Sequence, residues 1–572
     1  MKLLSYNALK DFCQSFWQCY ALWTLPIFVI ITLTNFLLFC CSHGELLYVD
    51  TDCYTRALRM VDWIQDFSWE EKIFPYTNHP NGFVLHFTRI SDIFWLLFTL
   101  PFIPFTTLKE AVFYGGFFFS PFFLYLTMIT VLWGIKPYLE KHANKEVIFI
   151  TLLPFFMLFC NKLTTAFDYY RPDHHSIMCF VFAFNISVLL RSYIIKNKKY
   201  EIFFAGILAA MGIWASSAPE GLYVAMISLC VLTIDSIFFE QNSKTTFFYS
   251  TGLFLGVCFA WLINPPYGGW SVLNNARLSF IHVALCALID FSFYIFAISN
   301  PQQKIKKICL LIFLAFVCIS IMLALFGFNT LLTSPGQEVI AKYFFPRIKE
   351  LDSIFETSNF LILPLIVGAI IIYYLDFKQP NVRCMLIIYI LTVPLCVWII
   401  RFYPYYLDLW LVIYAFGLIA TSSLINKSNK YKIITFIYVI WPIFYLLSFD
   451  YYPNKIDMPK MSGVALTDTF RGPELVWRQN IDTVASPYHT NVEGIGDNHT
   501  MWFTTDENTL KKLLQKHNVS YIYLPNIQIS KYYINPDKNT DKLYGKVLTG
   551  KDEYKWMQKV SDRLYKVNYE DF

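Results

Sequence analysis

Charged side chains are scarce in this chain of 572 residues. They make up 15% of it, whereas apolar residues make up 56% and the mean hydropathy is +0.44. Since an average soluble domain is about 25% charged, this composition excludes a soluble multidomain enzyme and a disordered chain. It predicts a polytopic membrane protein. The net charge of +5 is then explained by basic cytoplasmic loops, and no nucleic-acid partner is expected.

The chain also lacks a cysteine framework, an internal repeat and a cleavable signal peptide. Most of its 14 cysteines lie in apolar stretches, and neither a C-x-x-C pair nor a cysteine within residues 449–572 is present. The missing repeat argues against a transporter built from inverted halves. We interpret the first apolar run, residues 21–41, as a signal anchor and first membrane span.

Long apolar runs are what the chain has in abundance. About thirteen spans of ~20 residues are expected, at 21–41, 113–135, 147–163, 174–194, 201–217, 220–239, 246–264, 278–298, 308–328, 358–376, 383–400, 406–424 and 433–448. The run at 93–107 determines the topology, because the basic connectors all face the cytoplasm only if it does not cross the membrane. We therefore expect residues 93–112 to be re-entrant or to lie along the membrane.

The expected topology has a cytoplasmic N-terminus and an extracytoplasmic C-terminus. Residues 1–448 then form an α-helical transmembrane domain, and its outer polar loops are 43–92, 164–173 and 329–357. Residues 449–572 are polar enough to fold in water. Helical spacing at 509–518 precedes an alternating stretch at 519–524, which predicts a small extracytoplasmic α/β domain.

The first outer loop begins with two carboxylates. Asp50 and Asp52 stand two residues apart just beyond the first span, and Arg56 follows. Such a pair can hold a divalent cation, or one carboxylate can act as a base beside a phosphate. A solvated loop is the alternative interpretation.

The short second loop contains Arg171, Asp173, His174 and His175, directly before an expected span. Carboxylate and imidazole groups at a helix start are good ligands for a hard or borderline metal, and the helix N-terminus favours a phosphate. A capped helix with interfacial histidines explains the same pattern. The candidate metal ligands are Asp52, Asp173 and His175, with Mn²⁺ or Mg²⁺ as the cation and no organic cofactor.

Other polar residues are expected on the same outer side. The first loop ends with His86, Arg89 and Asp92, and Arg89 can contact substrate or simply pair with Asp92. Glu220 lies at an outer turn, where it is either a site residue or a glutamate near headgroups. An arginine as deep as Arg401 suggests a phosphate partner, or it snorkels to the interface. The late loop 329–357 carries further candidates for substrate contact, Arg347 and Glu350.

Together these motifs resemble the GT-C superfamily of membrane glycosyltransferases, and in particular the catalytic subunit of oligosaccharyltransferases. That family has an acidic motif in its first outer loop, a second acidic motif before its fourth span, a late mobile loop and a soluble C-terminal domain. The resemblance implies catalytic roles for Asp50, Asp52 and Asp173, donor binding by Arg401, and an acidic late-loop residue at Glu338 or Glu350.

A group of bacterial membrane proteins is similar in D-x-D-x-Y-x-R, H-[WF]-[ST]-R-x-x-D, R-x-D-H-H and P-Y-H-x-N, the last here at 487–491. His489 in that element either shapes an acceptor site or belongs to a structural turn. The WWD motif with which oligosaccharyltransferases read an acceptor sequon is missing from residues 449–572. The acceptor is therefore expected to differ from a conventional sequon peptide.

The resulting hypothesis is glycosyl transfer on the extracytoplasmic face, from a polyprenyl-phosphate-linked sugar donor to a glycan, lipid or protein acceptor. Two other functions compete with it. A flippase of lipid-linked sugars requires ionisable residues within the spans, where Asp235 and Asp290 are the main candidates. An O-antigen polymerase or ligase favours a large arginine-bearing loop over paired acidic loops.

Overall fold

The computed structural model describes residues 21–42, 46–140, 166–195, 199–239, 243–299, 301–333, 336–348, 351–357, 362–376, 378–425, 458–524, 541–550 and 554–572. The spans expected at 147–163 and 433–448 lie outside the described residues, and so does Glu350.

The N-terminal three quarters of the described chain are helical. The helices are α1 (Ala21–Ser42), α2 (Thr51–Asp66), α3 (Arg89–Thr99), α4 (Leu108–Leu139), α5 (His174–Ser192), α6 (Lys199–Ala215), α7 (Leu222–Phe238), α8 (Ser243–Ile263), α9 (Phe280–Ser299), α10 (Lys304–Leu332), α11 (Gln337–Tyr343), α12 (Ile354–Thr357), α13 (Ile362–Tyr374), α14 (Pro380–Trp398) and α15 (Tyr403–Ile425). A π-helical turn, Ser217–Gly221, joins α6 to α7, and 3₁₀ turns cover Phe345–Arg347 and Ile400–Phe402.

The protein is an integral membrane protein. Eight of the described helices are long and apolar enough to cross a bilayer. The most apolar window of α10 has a mean hydropathy of 3.1, yet only 11% of that window is buried inside the protein. A continuous apolar surface of this kind is stable against lipid and not against water.

The segment expected not to cross the membrane contains a helix that is short for a span. Helix α3 has 11 residues and is therefore about 16 Å long, half of the ~30 Å hydrocarbon core. The chain then turns through residues 100–106 into α4, whose first turn is closed by a capping box between Thr107 and Glu110. Trp95 in α3 donates a hydrogen bond to the carbonyl of Val112 in α4 at 2.8 Å. The two helices form an antiparallel hairpin.

The described residues at 458–524, 541–550 and 554–572 form the α/β region that the sequence predicts. Its strands are β3 (Val464–Leu466), β4 (Asp482–Thr483), β5 (Val519–Tyr523), β6 (Met557–Ser561) and β7 (Leu564–Val567), in the order β4–β3–β5–β7–β6. Strand β3 pairs parallel with β4 and β5, and β7 pairs antiparallel with β5 and β6. The helices are α16 (Gly472–Gln479), α17 (Val492–Phe503), α18 (Glu507–Lys516) and α19 (Leu543–Thr549).

The first outer loop joins the two parts of the molecule. It carries α2 and a two-stranded sheet, β1 (Ile73–Phe74) with β2 (Phe83–Val84). The Thr51 hydroxyl donates to the carbonyl of Phe470 at 2.6 Å, and Thr77 forms a parallel bridge with Thr483 at the edge of the larger sheet. These contacts hold the α/β region over the starts of the membrane helices.

A buried ion cluster anchors this loop. Glu71 lies 2.7 Å from Arg277, 3.1 Å from Arg59 and 3.8 Å from Arg89, and Asp92 lies 3.1 Å from Arg59 and 3.2 Å from Arg89. Burial raises the pKa of Glu71, but the three guanidinium groups outweigh it and bring the pKa to about 2. The cluster thus ties α2, α3 and the loop before α9 together with compensated charge.

We expect Glu71→Gln to destabilise the protein by about 3–5 kcal/mol, because it leaves three buried arginines with one carboxylate. Asp66→Asn is the matched control: Asp66 pairs with Lys72 at 2.8 Å, with both side chains more than half exposed, and its loss should cost about 1 kcal/mol or less. Denaturant unfolding in detergent micelles measures both. Equal midpoints for the two variants would contradict a stabilising role of the cluster.

Candidate active site

A cavity of about 870 Å³ lies between the starts of α2 and α5, the late loop and the α/β region. It brings together residues that are far apart in the sequence. The sequence-predicted residues that line it are Asp50, Asp52, Arg56, His86, Arg171, His174, Arg401 and His489. From the late loop, Ile340, Phe344 and Phe345 add apolar walls.

Two helix N-termini meet at this cavity, and an aspartate caps each of them. Asp50 accepts the backbone N–H three residues on at 3.0 Å, and Asp173 accepts that of the next residue at 2.6 Å. Arginines connect the two starts: Arg171 lies 2.6 Å from Asp50, and Arg56 lies 3.2 Å from Asp173. Two helix N-termini and two guanidinium groups therefore border one space, and Asp50 and Asp173 balance their charge there.

The two carboxylates of the first motif differ in their surroundings. Asp50 is engaged as a helix cap and in an ion pair. Asp52, in the first turn of α2, lines the cavity beside Tyr488. Burial raises the pKa of Tyr488 well above its usual value, and the negative charge of Asp52 raises it further. Of the two, Asp52 is the carboxylate next to the α/β region.

Asp173, His174 and His175 form a group with metal-ligand geometry. One ligand atom from each lies within 4.8 Å of the others. His174 Nδ1 lies 2.5 Å from Asp173 Oδ1, and His175 Nε2 lies 3.5 Å from Asp173 Oδ2. Burial raises the pKa of Asp173, but the two histidines and Arg56 overcome this and hold it well below its usual range. A buried carboxylate with imidazole nitrogens suits a divalent cation.

His174 Nδ1 has two close polar neighbours, Arg56 Nη2 at 2.8 Å and Asp173 Oδ1 at 2.5 Å. This ring nitrogen and the Asp173 carboxylate therefore lie side by side, as two ligands of one cation do. The residues therefore fit a metal on the Asp173 side of the ring.

Glu220 lies behind the two histidines and is fully buried. Its carboxylate is 3.3 Å from His174 Nε2, 3.4 Å from His175 Nδ1 and 3.2 Å from Arg401 Nη2. Tyr405 donates its hydroxyl to Glu220 at 2.9 Å. The sequence reasoning did not include Tyr405, although it stands four residues after Arg401 at helical spacing.

His86 and His489 form a pair at the wall of the cavity, with ring centroids 4.4 Å apart. Burial lowers the pKa of both histidines, that of His489 to about 4, and the positive charge of Arg401 adds to the effect on each. Both rings are therefore neutral at pH 7 and can accept a hydrogen bond.

Two further predicted residues are Arg89 and Arg347. Arg89 belongs to the Glu71 cluster and is not among the residues that line the cavity, so pairing with Asp92 accounts for its position. Arg347 lies in the 3₁₀ turn of the late loop, between the cavity-lining residues Phe345 and Ile348. The side chains whose ligand atoms converge are Asp173, His174 and His175. This group contains His174 in place of Asp52, which the sequence analysis proposed as the third ligand.

The fold is similar to that of a known class of membrane enzyme. No protein-family model and no curated protein sequence matches the chain. Solved structures do match, and they belong to the oligosaccharyltransferases, which are GT-C enzymes.

Structures of the oligosaccharyltransferase AglB from Archaeoglobus fulgidus are among those that match. The complex of AglB with an inhibitory peptide and a dolichol-phosphate has a TM-score of 0.61 and 13% identity, over 96% of this chain and 75% of that chain. The complex with zinc and sulfate has a TM-score of 0.60 and 13% identity, over 89% and 68%. The enzyme tethered to an acceptor peptide containing the NVT sequon has a TM-score of 0.63 and 13% identity, over 93% and 72%. The expected resemblance is confirmed at the level of the fold.

Asp168, close to both Asp50 and Arg171, provides a pH-dependent test of these surroundings. Burial raises its pKa to about 7, with Arg171 opposing the rise and Asp50 adding to it. The unfolded chain loses this proton at about pH 3.9, whereas the native state keeps it up to about pH 7. The stability of the wild-type protein therefore falls as the pH rises between these two values. We expect the melting temperature of Asp168→Asn minus that of wild type to become larger between pH 5 and pH 8. A difference that does not change with pH would contradict a buried, protonated Asp168.

Proposed function

We propose that the protein is a membrane glycosyltransferase that moves a sugar or oligosaccharide from a polyprenyl-phosphate-linked donor to an acceptor on the extracytoplasmic face. The observation that carries the proposal is the single cavity in which carboxylates, histidines and three arginines meet beside membrane helices. The oligosaccharyltransferase fold supports it. AglB has been solved with a dolichol-phosphate, a lipid phosphate of the kind proposed for the donor, and with an acceptor peptide.

The donor phosphate is bound by Arg56, Arg171 and Arg401. All three line the cavity, and the planar fork of a guanidinium group matches phosphate oxygens. The N-termini of α2 and α5 add backbone N–H groups and positive dipole ends. The lipid tail then lies among the membrane helices, and its phosphate meets the positive charges at the outer boundary.

Asp173, His174 and His175 would hold a divalent cation, and Asp52 is proposed as a further ligand or as the base. When bound, the cation stabilises negative charge on the leaving phosphate. Imidazole nitrogens suit Mn²⁺ better than Mg²⁺, which prefers oxygen ligands. The neighbouring arginines share that role by contacting the phosphate oxygens.

At the acceptor side, Asp52 takes the proton of the acceptor group on a carboxylate oxygen as the new bond to the sugar forms and the bond from sugar to phosphate breaks. The neutral rings of His86 and His489 border the same space and orient the acceptor. Because the WWD motif is missing from residues 449–572, we propose an acceptor other than a conventional sequon peptide.

The proposed topology has about thirteen spans of ~20 residues, a cytoplasmic N-terminus and a bacterial plasma membrane location. Residues 1–448 form the transmembrane domain and residues 449–572 the extracytoplasmic domain. The short α3 supports this topology, because counting it as a span would place the basic connectors outside.

We expect Asp52→Ala and Asp173→Ala to abolish transfer while the protein still accumulates, because each removes a carboxylate of the proposed reaction centre. The measurement is the pool of polyprenyl-linked sugar in cells whose own copy is deleted, read by mass spectrometry of lipid extracts. Wild type should draw the pool down, and both variants should leave it high.

Asp66→Asn, which changes an exposed carboxylate far from the cavity lining, controls for expression and should behave as wild type. Normal consumption of the lipid-linked pool by both alanine variants would refute the proposed function.

Removal of metal gives a second test. Treatment of the purified protein with EDTA should stop release of polyprenyl phosphate from a lipid-linked sugar extracted from the deleted cells. Mn²⁺ should restore the release at lower concentration than Mg²⁺, because two imidazoles stand among the ligands. Full release in EDTA would show that the arginines act without a cation.

A further inference from the structure

Each histidine of the pair bridges two carboxylates. His174 has Nδ1 2.5 Å from Asp173 and Nε2 3.3 Å from Glu220. His175 has Nε2 3.5 Å from Asp173 and Nδ1 3.4 Å from Glu220. One nitrogen of each ring therefore faces Asp173, and the other faces Glu220.

A histidine that binds a metal through one ring nitrogen usually donates the N–H of the other to a carboxylate, which sets the tautomer and the ring orientation. Glu220 is placed for this role, because His174 Nε2 and His175 Nδ1 face its carboxylate at 3.3 and 3.4 Å. Resting on the function proposed above, we propose that Glu220 is a positioning residue of the cation site. It accepts an N–H from His174 and from His175 and so presents the two opposite nitrogens to the Asp173 side.

The surroundings of Glu220 suit this role. Its carboxylate accepts hydrogen bonds from the hydroxyls of Ser216 and Tyr405, each at 2.9 Å, so that its orientation is defined. It lies on the π-helical turn Ser217–Gly221, which packs so tightly that a Cβ at Gly221 would stand 2.4 Å from the carbonyl oxygen of Ser216. A buried carboxylate with this set of donors is built into the fold.

Glu220 also connects the cation site to the proposed phosphate site. Its Oε2 lies 3.3 Å from His174 Nε2 and 3.2 Å from Arg401 Nη2. The same oxygen thus sets the position of one metal-binding ring and of one phosphate-binding guanidinium group. The cation and Arg401 are thereby held in a defined relation to each other.

Substitution of Glu220 by glutamine separates positioning from simple packing. Glutamine has the same shape but one carbonyl acceptor and one amide donor. It can accept an N–H from one histidine, while its NH₂ group faces a ring nitrogen of the other and forces that ring into the opposite tautomer. The second histidine then presents an N–H to the Asp173 side and cannot bind the cation.

The test uses Mn²⁺ alone with the full-length protein in nanodiscs. We expect Glu220→Gln to weaken Mn²⁺ binding by about 10- to 100-fold, the usual effect of losing such a carboxylate, and pulsed electron paramagnetic resonance to detect coupling to one imidazole nitrogen where wild type shows two. Glu140→Gln, a largely exposed carboxylate near Lys136, is the matched control and should bind Mn²⁺ as wild type does. Asp173→Asn should lose binding.

Wild-type affinity and two coupled nitrogens in Glu220→Gln would overturn the inference. If Asp173→Asn binds normally as well, the cation site of the proposed function also fails, whereas loss in Asp173→Asn alone leaves that site standing. Should Glu220→Gln not fold, Glu220→Asp takes its place. It keeps the charge for Arg401 but withdraws the carboxylate from the rings, and should lose Mn²⁺ affinity; unchanged affinity overturns the inference.

Discussion

The buried ion pair between Arg56 and Asp173 is the contact on which the site depends. It joins α2 of the first outer loop to the start of the membrane helix α5, at 3.2 Å and with both side chains almost fully buried. Removing either partner would leave a charge without compensation in a region of low dielectric constant. Because the α/β region rests on α2 through Thr51 and Phe470, this pair sets the geometry of the cavity on both of its sides.

Two charged networks coexist at this boundary and differ in what they can do. The cluster around Glu71 consists of two carboxylates and three arginines that are satisfied mainly by each other, and its role is to hold the loop. The network around Asp173 and Glu220 contains two imidazoles and borders a large cavity, which three arginines also line. Only groups of the second kind can exchange their partners for a cation or a phosphate, since their ligand atoms converge on one point.

Much of the fold followed from composition and periodicity. The apolar runs within the described residues correspond to helices, and the pattern at 509–524 corresponds to α18 and β5. The motifs pointed to residues that the structure gathers in one cavity, from Asp52 to His489. Sequence reasoning did not distinguish the capping role of Asp50 from the position of Asp52, and it could not place Arg89, because ion-pair partners such as Glu71 come from other loops.

The sequence by itself determined that this is a membrane protein with acidic and basic motifs at the ends of its helices, since apolar length and charge scarcity are local properties. Only the tertiary structure decided which of those residues face each other. The shared carboxylate of Glu220 illustrates the reason: it is 45 residues from His175 and 181 from Arg401 along the chain, counted from their positions, yet within 3.4 Å of both. Such contacts depend on how helices pack against one another, and no local pattern encodes that packing.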